Sequence, residues 1–548
     1  MINLTAKIID AKGLLTKRDF EGARLAVKSV LDKDKFNYQA LTLMCELEIA
    51  CGNIDKAKDA LKILIQQRPQ ELQFSIKLAQ IHIDEGDFEE APKVFDPLFK
   101  LFNHPDLFFN YAWFLTRAAK YTKAIEQYEK AILLKIDSPE EVYLNIANIY
   151  SNWLANSELA RRNLNKSLAI NSNYIDAIYN LGNLEEDLGN RENAIRQFKK
   201  VVSLYPSHGS ASARLALALA TNDRDCVNLI SELRNLIENP NINQNALIDC
   251  HYALGKLYDQ SEHYEKAFES WELANKLNKS KNKKFDSVNC ESEFNELIAK
   301  YNKEHIGTHS LDNSIQPIFI SGMFRSGSTL LEQILASHSQ IKAGGELDFF
   351  TRCSRSQELK DNNFLSEKKS YLKNIMSDYI AVLKRHGHPN FLITDKRPDN
   401  ILHLGLIKMI FPKSKFLITK RDIMDNCISI FSNRFSDQMT YTWEIRDIEF
   451  YYKQVEKLVS HWQTMFNDDI CIVDYDKLIK NPKNVIMESL AFLSLDWQED
   501  CLNFYKLKNS VQTASSWQVR EPFYKKASGR WKNYKNVFEK NKASALNI

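Results

Sequence analysis

At 548 residues the chain is longer than one domain usually holds. Its composition, 44% hydrophobic and 26% charged, is ordinary for a soluble globular protein, and 73 Lys and Arg against 70 Asp and Glu leave a net charge of only +3. That balance excludes a chain-wide field for nucleic acid, so an anion has to be met by a local set of residues.

The opening stretch, MINLTAKIIDAKGLL, has no basic segment followed by a long apolar core, so no signal peptide is read. Nor does any uninterrupted apolar run approach the roughly 18 residues of a membrane span. A cytoplasmic chain is the expectation. A period then appears: a small or polar position followed by an alanine recurs at Asp19…Ala23, Gly52-Asn53…Ala57, Gly86-Asp87…Ala91, Tyr121…Ala124, Glu158…Ala160, Gly189-Asn190…Ala194 and His263…Ala267. From Ala23 to Ala194 the alanines lie 34, 34, 33, 36 and 34 positions apart. This is the tetratricopeptide period of about 34 residues. Gly182 and Gly255 precede their alanines by twelve positions, and Pro69 and Pro206 follow theirs by twelve. A weaker repeat is read around Asp223 to Val227, with an insertion near Asn239 to Asn245.

Residues 1–277 are therefore expected to form an all-α superhelix of seven to eight helix pairs, whose groove takes a peptide or partner protein. An array that only supports the second half, or that mediates self-association into a homo-oligomer, stays open. Tyr111, Trp113, Tyr143 and Tyr179 recur at helical spacing and read as core. Residues 278–315 read as a linker: the lysine-rich KLNKSKNKK from Lys276 to Lys284 is a solvated end, and Phe294, Leu297 and Ile298 mark one more helix.

From 316 to 548 the pattern changes. Apolar runs at Ile318–Ile320, Phe391–Thr394, Phe416–Thr419 and Ile470–Val473 alternate with helical segments near 400–411, 422–435, 441–466 and 482–493. A parallel sheet covered by helices follows, with ligands at the carboxyl ends of its strands. The first strand runs into Gly322-Met323-Phe324-Arg325-Ser326-Gly327-Ser328-Thr329, then into a helix carrying Leu330, Leu331, Ile334 and Leu335. Strand, small-residue loop and helix present backbone N–H groups and a helix N-terminus to an anion. Gly322, Gly327 and Thr329 have the spacing of a nucleotide-triphosphate P-loop, but Ser328 stands where that motif places its lysine. Arg325 instead puts a forked cation inside the loop, suited to phosphate or sulfate. Glu346, after Gly344-Gly345, is a candidate general base for a hydroxyl acceptor. Arg421 and Ser429 fall on one face of a helix. Asp474, after ICIV, is the rival signal, since it resembles a magnesium-binding strand end.

In this order the motifs resemble the sulfotransferases that use 3′-phosphoadenosine 5′-phosphosulfate (PAPS), and most of all the protein-tyrosine sulfotransferase branch and the bacterial sulfotransferases fused to tetratricopeptide repeats. The resemblance covers about 316–535 for the sulfotransferase and 1–277 for the repeats. It implies a P-loop-like α/β domain in which Arg325, Ser326, Gly327, Ser328 and Thr329 hold the 5′-phosphosulfate. Glu346 would then be the base, and Lys396 would stabilise the leaving oxygen. Arg421 and Ser429 would hold the 3′-phosphate, with Arg434 as a third contact; the family pattern places that arginine at Asn433. Tyr475 would lie near the nucleotide, while Ser515 and Arg530 would belong to a C-terminal closing segment. Arg397 stands as second choice to Lys396. Trp517 and Trp531 read as packing, His338 as structural, and His386 and His388 are not at ligand spacing.

The expected activity is PAPS-dependent transfer of a sulfuryl group to a hydroxyl, that of tyrosine in a peptide or protein, with no metal required. A glycan, lipid or small-phenol acceptor, a P-loop kinase or NTPase acting through Asp474, and an inactive repeat scaffold are the alternatives. The motif-free stretch 351–390 is taken as an insertion near the acceptor entrance. Nine scattered cysteines form no Cys-x-x-Cys pair, signal neither zinc nor disulfides, and fit a reducing compartment.

Overall fold

The computed structural model describes residues 4–219, 224–302, 306, 311, 316–354, 369–386, 392–513, 515–523 and 527–537. Asp223, His388 and residues 355–368 of the motif-free stretch lie outside them, as does the side chain of His386. Two compact units are present, Met1–Leu154 with Asn165–Asn171, and Ala155–Leu164 with Ser172–Ile548. The division falls inside the repeat array.

The first unit is built of helix pairs such as Leu4–Thr16 with Phe20–Leu31, Tyr38–Ala50 with Ile54–Gln67, and Pro105–Arg117 with Tyr121–Leu133. Asp19 and Asn37 cap their helices by accepting from the amides of Gly22 and Ala40. One pair is cut short. After Leu72–Glu85 comes only Glu90–Lys93 and a 3₁₀ turn, Leu98–Lys100. Pro92 and Pro97 remove amide donors there and crowd the preceding turn. The periodic alanines Ala23, Ala57, Ala91, Ala124, Ala160, Ala194 and Ala267 are all at most 1% exposed, as close helix crossing requires.

The second unit begins with further helix pairs: Ile175–Asp187 with Arg191–Leu204, Gly209–Ala218 with Arg224–Ile237, and Gln244–Gln260 with Tyr264–Lys281. A Cβ on Gly255 would sit 2.2 Å from Trp271 Nε1, so the last pair crosses at a contact that only glycine allows. The linker helix is Ser287–Lys300. A parallel sheet follows: β1 (Ile318–Gly322), β2 (Ile341–Ala343), β3 (Leu392–Lys396), β4 (Lys415–Lys420) and β5 (Ile470–Asp474), in the order β2-β3-β1-β4-β5. Every residue of β1 is buried, as a central parallel strand covered on both faces should be.

Its side chains alternate between two cores. Ile318 and Ile320 pack with Leu331, Ile334, Leu417, Val473 and Ile486. Phe319, on the other face, stacks on Phe416 at 4.9 Å and on Tyr379 at 6.0 Å. That second core runs without a break through Trp462, Ile407 and Phe294 to Phe268 and Trp271 of the last repeat pair, which is why these repeat helices share a unit with the sheet. Strand β2 escaped the sequence reading because it is three residues long with Lys342 exposed at its centre. Among the described residues no helix is long and apolar enough to cross a membrane.

Candidate active site

Strand β1 is central, so the chain leaves it toward β2 and β3 on one side and later returns to β4 and β5 on the other. A crevice at the carboxyl ends of such strands is where open parallel sheets take ligands. The loop after β1 lies at that crevice. Its frame is set from within: Ser326 Oγ donates to the carbonyl of Met323 at 2.6 Å and shares a 2.6 Å hydrogen bond with Thr419 Oγ1 at the end of β4. The Ser326 side chain therefore holds the loop's shape. Gly327 has φ +102°, and a Cβ there would meet the Tyr475 ring at 2.4 Å. The helix Ser328–Ala336 starts at once, so the amides of Ser328 and Thr329 have no intrahelical acceptor. Thr329 Oγ1 donates to Thr513 Oγ1 at 3.4 Å.

Arg325 adopts φ +65°, a left-handed conformation that non-glycine residues seldom take. Its Nε donates to Ser429 Oγ at 3.1 Å and its Nη1 to Ser515 Oγ at 2.5 Å. Arg421, leaving β4, donates through Nη1 to the Arg325 carbonyl at 3.1 Å and through Nη2 to the Ala527 carbonyl at 2.5 Å. Its guanidinium lies 4.9 Å over the Tyr475 ring, and its buried Nε has no partner. Five residues singled out in the sequence, Arg325, Arg421, Ser429, Tyr475 and Ser515, thus come together across up to 190 positions of chain. Burial, then Arg421 and Arg530, push Arg325 down to about 10. Arg421 is lowered as well, chiefly by burial. Among the described residues no carboxylate pairs with either arginine.

On the other side of β1, Lys396 ends β3 fully buried, and its Nζ meets Glu346 Oε1 at 2.5 Å. Glu346 follows β2 and is about one-third exposed. Behind this pair stands Glu332 of the loop helix, which accepts from the Gly345 amide at 3.0 Å and from Thr394 Oγ1 at 2.9 Å. Burial raises Glu332, against the pull of Lys396 and these hydrogen bonds. Asp395, beneath the sheet, accepts from Tyr379 and Asn400, each at 3.0 Å, and burial pushes it up to about 8. Arg397 is turned to Asp399 at 2.7 Å.

The closing segment is held by three carboxylates that sequence reasoning missed. Asp425 accepts from the amides of Gly529 and Trp531. Glu186 accepts from Ser516 at 3.0 Å and pairs with Arg214 at 2.7 Å. Asp259 pairs with Arg530 at 2.8 Å and accepts from Tyr534. One signal was available. Glu185, Glu186 and Asp187 crowd the C-terminal turn of a helix, where the dipole disfavours them, so each needed a partner. Burial opposes the charge of Arg530, but Asp259 and Tyr534 outweigh it and raise the group.

Some expectations need correction. Arg434 does not add a third contact: it reaches Asp249 at 2.5 Å, on the helix Gln244–Gln260. Asp474, the rival magnesium ligand, caps the helix Tyr475–Lys480 by accepting from the Lys477 amide at 2.9 Å. Trp517 packs on the repeat core and Trp531 on the sheet core, as read. His338 is 2% exposed and bonded to the Asp496 carbonyl. Among the described residues one group, His82, Glu85 and Asp87 in the first unit, offers potential metal-ligand atoms within 4.8 Å of one another.

Comparison with known proteins assigns the two parts of the chain to two families. A model of the sulfotransferase family matches residues 317–499, and tetratricopeptide repeat models match 47–98, 77–141 and 175–208. An uncharacterized protein of Aquifex aeolicus (strain VF5) is 27% identical over 382 residues, 66% of this chain and 49% of that one. The protein-tyrosine sulfotransferase of Drosophila melanogaster is 25% identical over 272 residues, 45% of this chain and 53% of its own length. The chain spans about half the length of these two curated relatives. A solved sulfotransferase domain from the Synechococcus PCC 7002 olefin synthase aligns at 19% identity with a TM-score of 0.32, over 40% of this chain and 89% of that domain. The chain thus carries tetratricopeptide repeats ahead of a sulfotransferase-family domain.

Proposed function

We propose that the protein transfers a sulfuryl group from PAPS to a hydroxyl, that of a tyrosine in a peptide or protein presented with the help of the repeat groove. The observation that carries the donor is the arginine pair: Arg325 and Arg421 sit at the loop with no carboxylate partner among the described residues. Buried charge without a counter-charge is costly, and a phosphate and a phosphosulfate would supply one. Ser429, Ser515, Tyr475 and the free amides of Ser328 and Thr329 complete the cradle, and Arg530 closes it.

In the reaction, Glu346 takes the proton from the acceptor hydroxyl as its oxygen bonds to sulfur. The bond from sulfur to the bridging phosphate oxygen breaks, and its electron pair leaves with 3′,5′-adenosine bisphosphate. Lys396, beside Glu346, is placed to stabilise charge on that departing oxygen. The step calls for no metal. Repeats support a polypeptide acceptor over a glycan, lipid or small phenol, and nine unpaired cysteines support a reducing, cytoplasmic setting.

Isothermal titration with 3′,5′-adenosine bisphosphate against ATP–magnesium tests the donor. The bisphosphate should bind preferentially, and Arg421→Ala should weaken it at least about tenfold, since a buried charge contact is lost. Preference for ATP–magnesium, or binding of neither, overturns the proposal.

A further inference from the structure

The repeat helix Gln244–Gln260 reaches the closing segment through one carboxylate. Asp259 is only 11% exposed, and its Oδ2 receives Arg530 Nη2 at 2.8 Å while lying 3.7 Å from Lys256 Nζ. Its Oδ1 accepts the Tyr534 hydroxyl. Two cations therefore share one carboxylate oxygen, and the closer, better-bonded one is Arg530. Lys256, one helical turn before Asp259, keeps a surplus charge, with a side chain 25% exposed. The segment that carries Arg530 is also held from the loop's side: Arg421 donates to the Ala527 carbonyl, and Asp425 accepts from the amides of Gly529 and Trp531. Burial lowers Lys256, Asp259 opposes this, and both Arg530 and Arg325 lower it further. Lys256, Arg325, Arg421 and Arg530 make four cations, of which Asp259 pairs with two. The charge left over has the sign and the place of an anion site.

We propose that the last repeat pair forms a wall of the donor site, in which Lys256 contributes a cation to the 3′-phosphate of the donor and Asp259 positions Arg530 beside it. This rests on the PAPS reading above. Donor recognition is then shared between the sheet and the repeat array, and Lys256 is a determinant of selectivity for a nucleotide phosphorylated at the 3′ position.

The test titrates the full chain, wild type and Lys256→Met, with 3′,5′-adenosine bisphosphate and with 5′-AMP, which lacks the 3′-phosphate. In the variant, bisphosphate affinity should fall about tenfold, while 5′-AMP affinity should change less than twofold. Lys256→Arg should retain most of the bisphosphate affinity, and the bisphosphate response should lose part of its salt dependence in Lys256→Met only. Unchanged bisphosphate binding in Lys256→Met overturns the inference and leaves the donor reading standing. Equal loss of both ligands also overturns it, as general damage. A wild type that binds no bisphosphate overturns the donor reading, and this inference falls with it.

Discussion

The two flanks of β1 treat charge in opposite ways. Beyond β1 and β4, Arg325 and Arg421 spend their hydrogen bonds on neutral oxygens, those of Ser429, Ser515 and two backbone carbonyls. Beyond β2 and β3, the fully buried Lys396 meets its counter-charge in Glu346 at 2.5 Å, with Glu332 bracing the turn behind it. One flank is short of negative charge and the other is internally balanced. In the reaction proposed above, the contrast would separate two tasks: the arginine flank would select an anion, and the balanced flank would admit a neutral hydroxyl and move its proton.

Each flank can be broken alone. The largest effect is expected for Glu346→Ala, which should cut sulfate transfer from PAPS to a tyrosine peptide by about 10²–10⁴-fold, the range of a lost general base. Bisphosphate affinity by titration should stay within about twofold, and an unchanged turnover would remove the base assignment. Next comes Gly327→Ala on the arginine flank. At φ +102° and against the Tyr475 ring, an added methyl should cost about 1–3 kcal/mol of stability and weaken bisphosphate binding, read by thermal melting and titration. Wild-type values in both would show that the loop yields.

The smallest effect concerns the balanced flank's foundation. Asp395 is raised to about 8 by burial, whereas an unfolded aspartate titrates near 3.9. The folded state then holds the extra proton, so this residue lowers stability progressively as pH rises from about 4 to 8. Asp395→Asn should flatten the melting temperature across pH 5, 7 and 9, with its greatest relative gain at pH 9. Parallel wild-type and variant curves would refute the assignment.

Much of this was legible because the signals were local. The alanine period is written in helix geometry, and the loop's glycines, Arg325 and Thr329 sit within eight positions of one another. Arg421 and Ser429 were singled out by their eight-residue spacing, although only Ser429 lies on the helix Ile423–Phe431: Arg421 stands before its cap, Asp422, at the end of β4. What stayed hidden depends on partners far away in sequence. Glu332 reads as one more polar residue of an apolar helix until Gly345 and Thr394 arrive beside it. Asp259 and Arg530 are 271 positions apart, and no periodicity links them. Arg434 was misread for the same reason, since nothing near it betrays Asp249. Strand β2 was missed because three residues are too few to display a period, and the shortened helix after Glu85 because a regular alanine spacing outweighed two prolines in plain view.

The tie from Asp259 to Arg530 and Tyr534, joined by that from Glu186 to Ser516, has an evolutionary consequence. Repeat arrays are commonly lengthened, shortened and exchanged between genes. Here the pairs carrying Glu186 and Asp259 are closed to such exchange, because a crossover near residue 278 would strand Arg530 and Ser516 without their partners. A change in repeat number that kept both ties would have to fall before residue 172, leaving Glu186 and Asp259 beside Ser516 and Arg530.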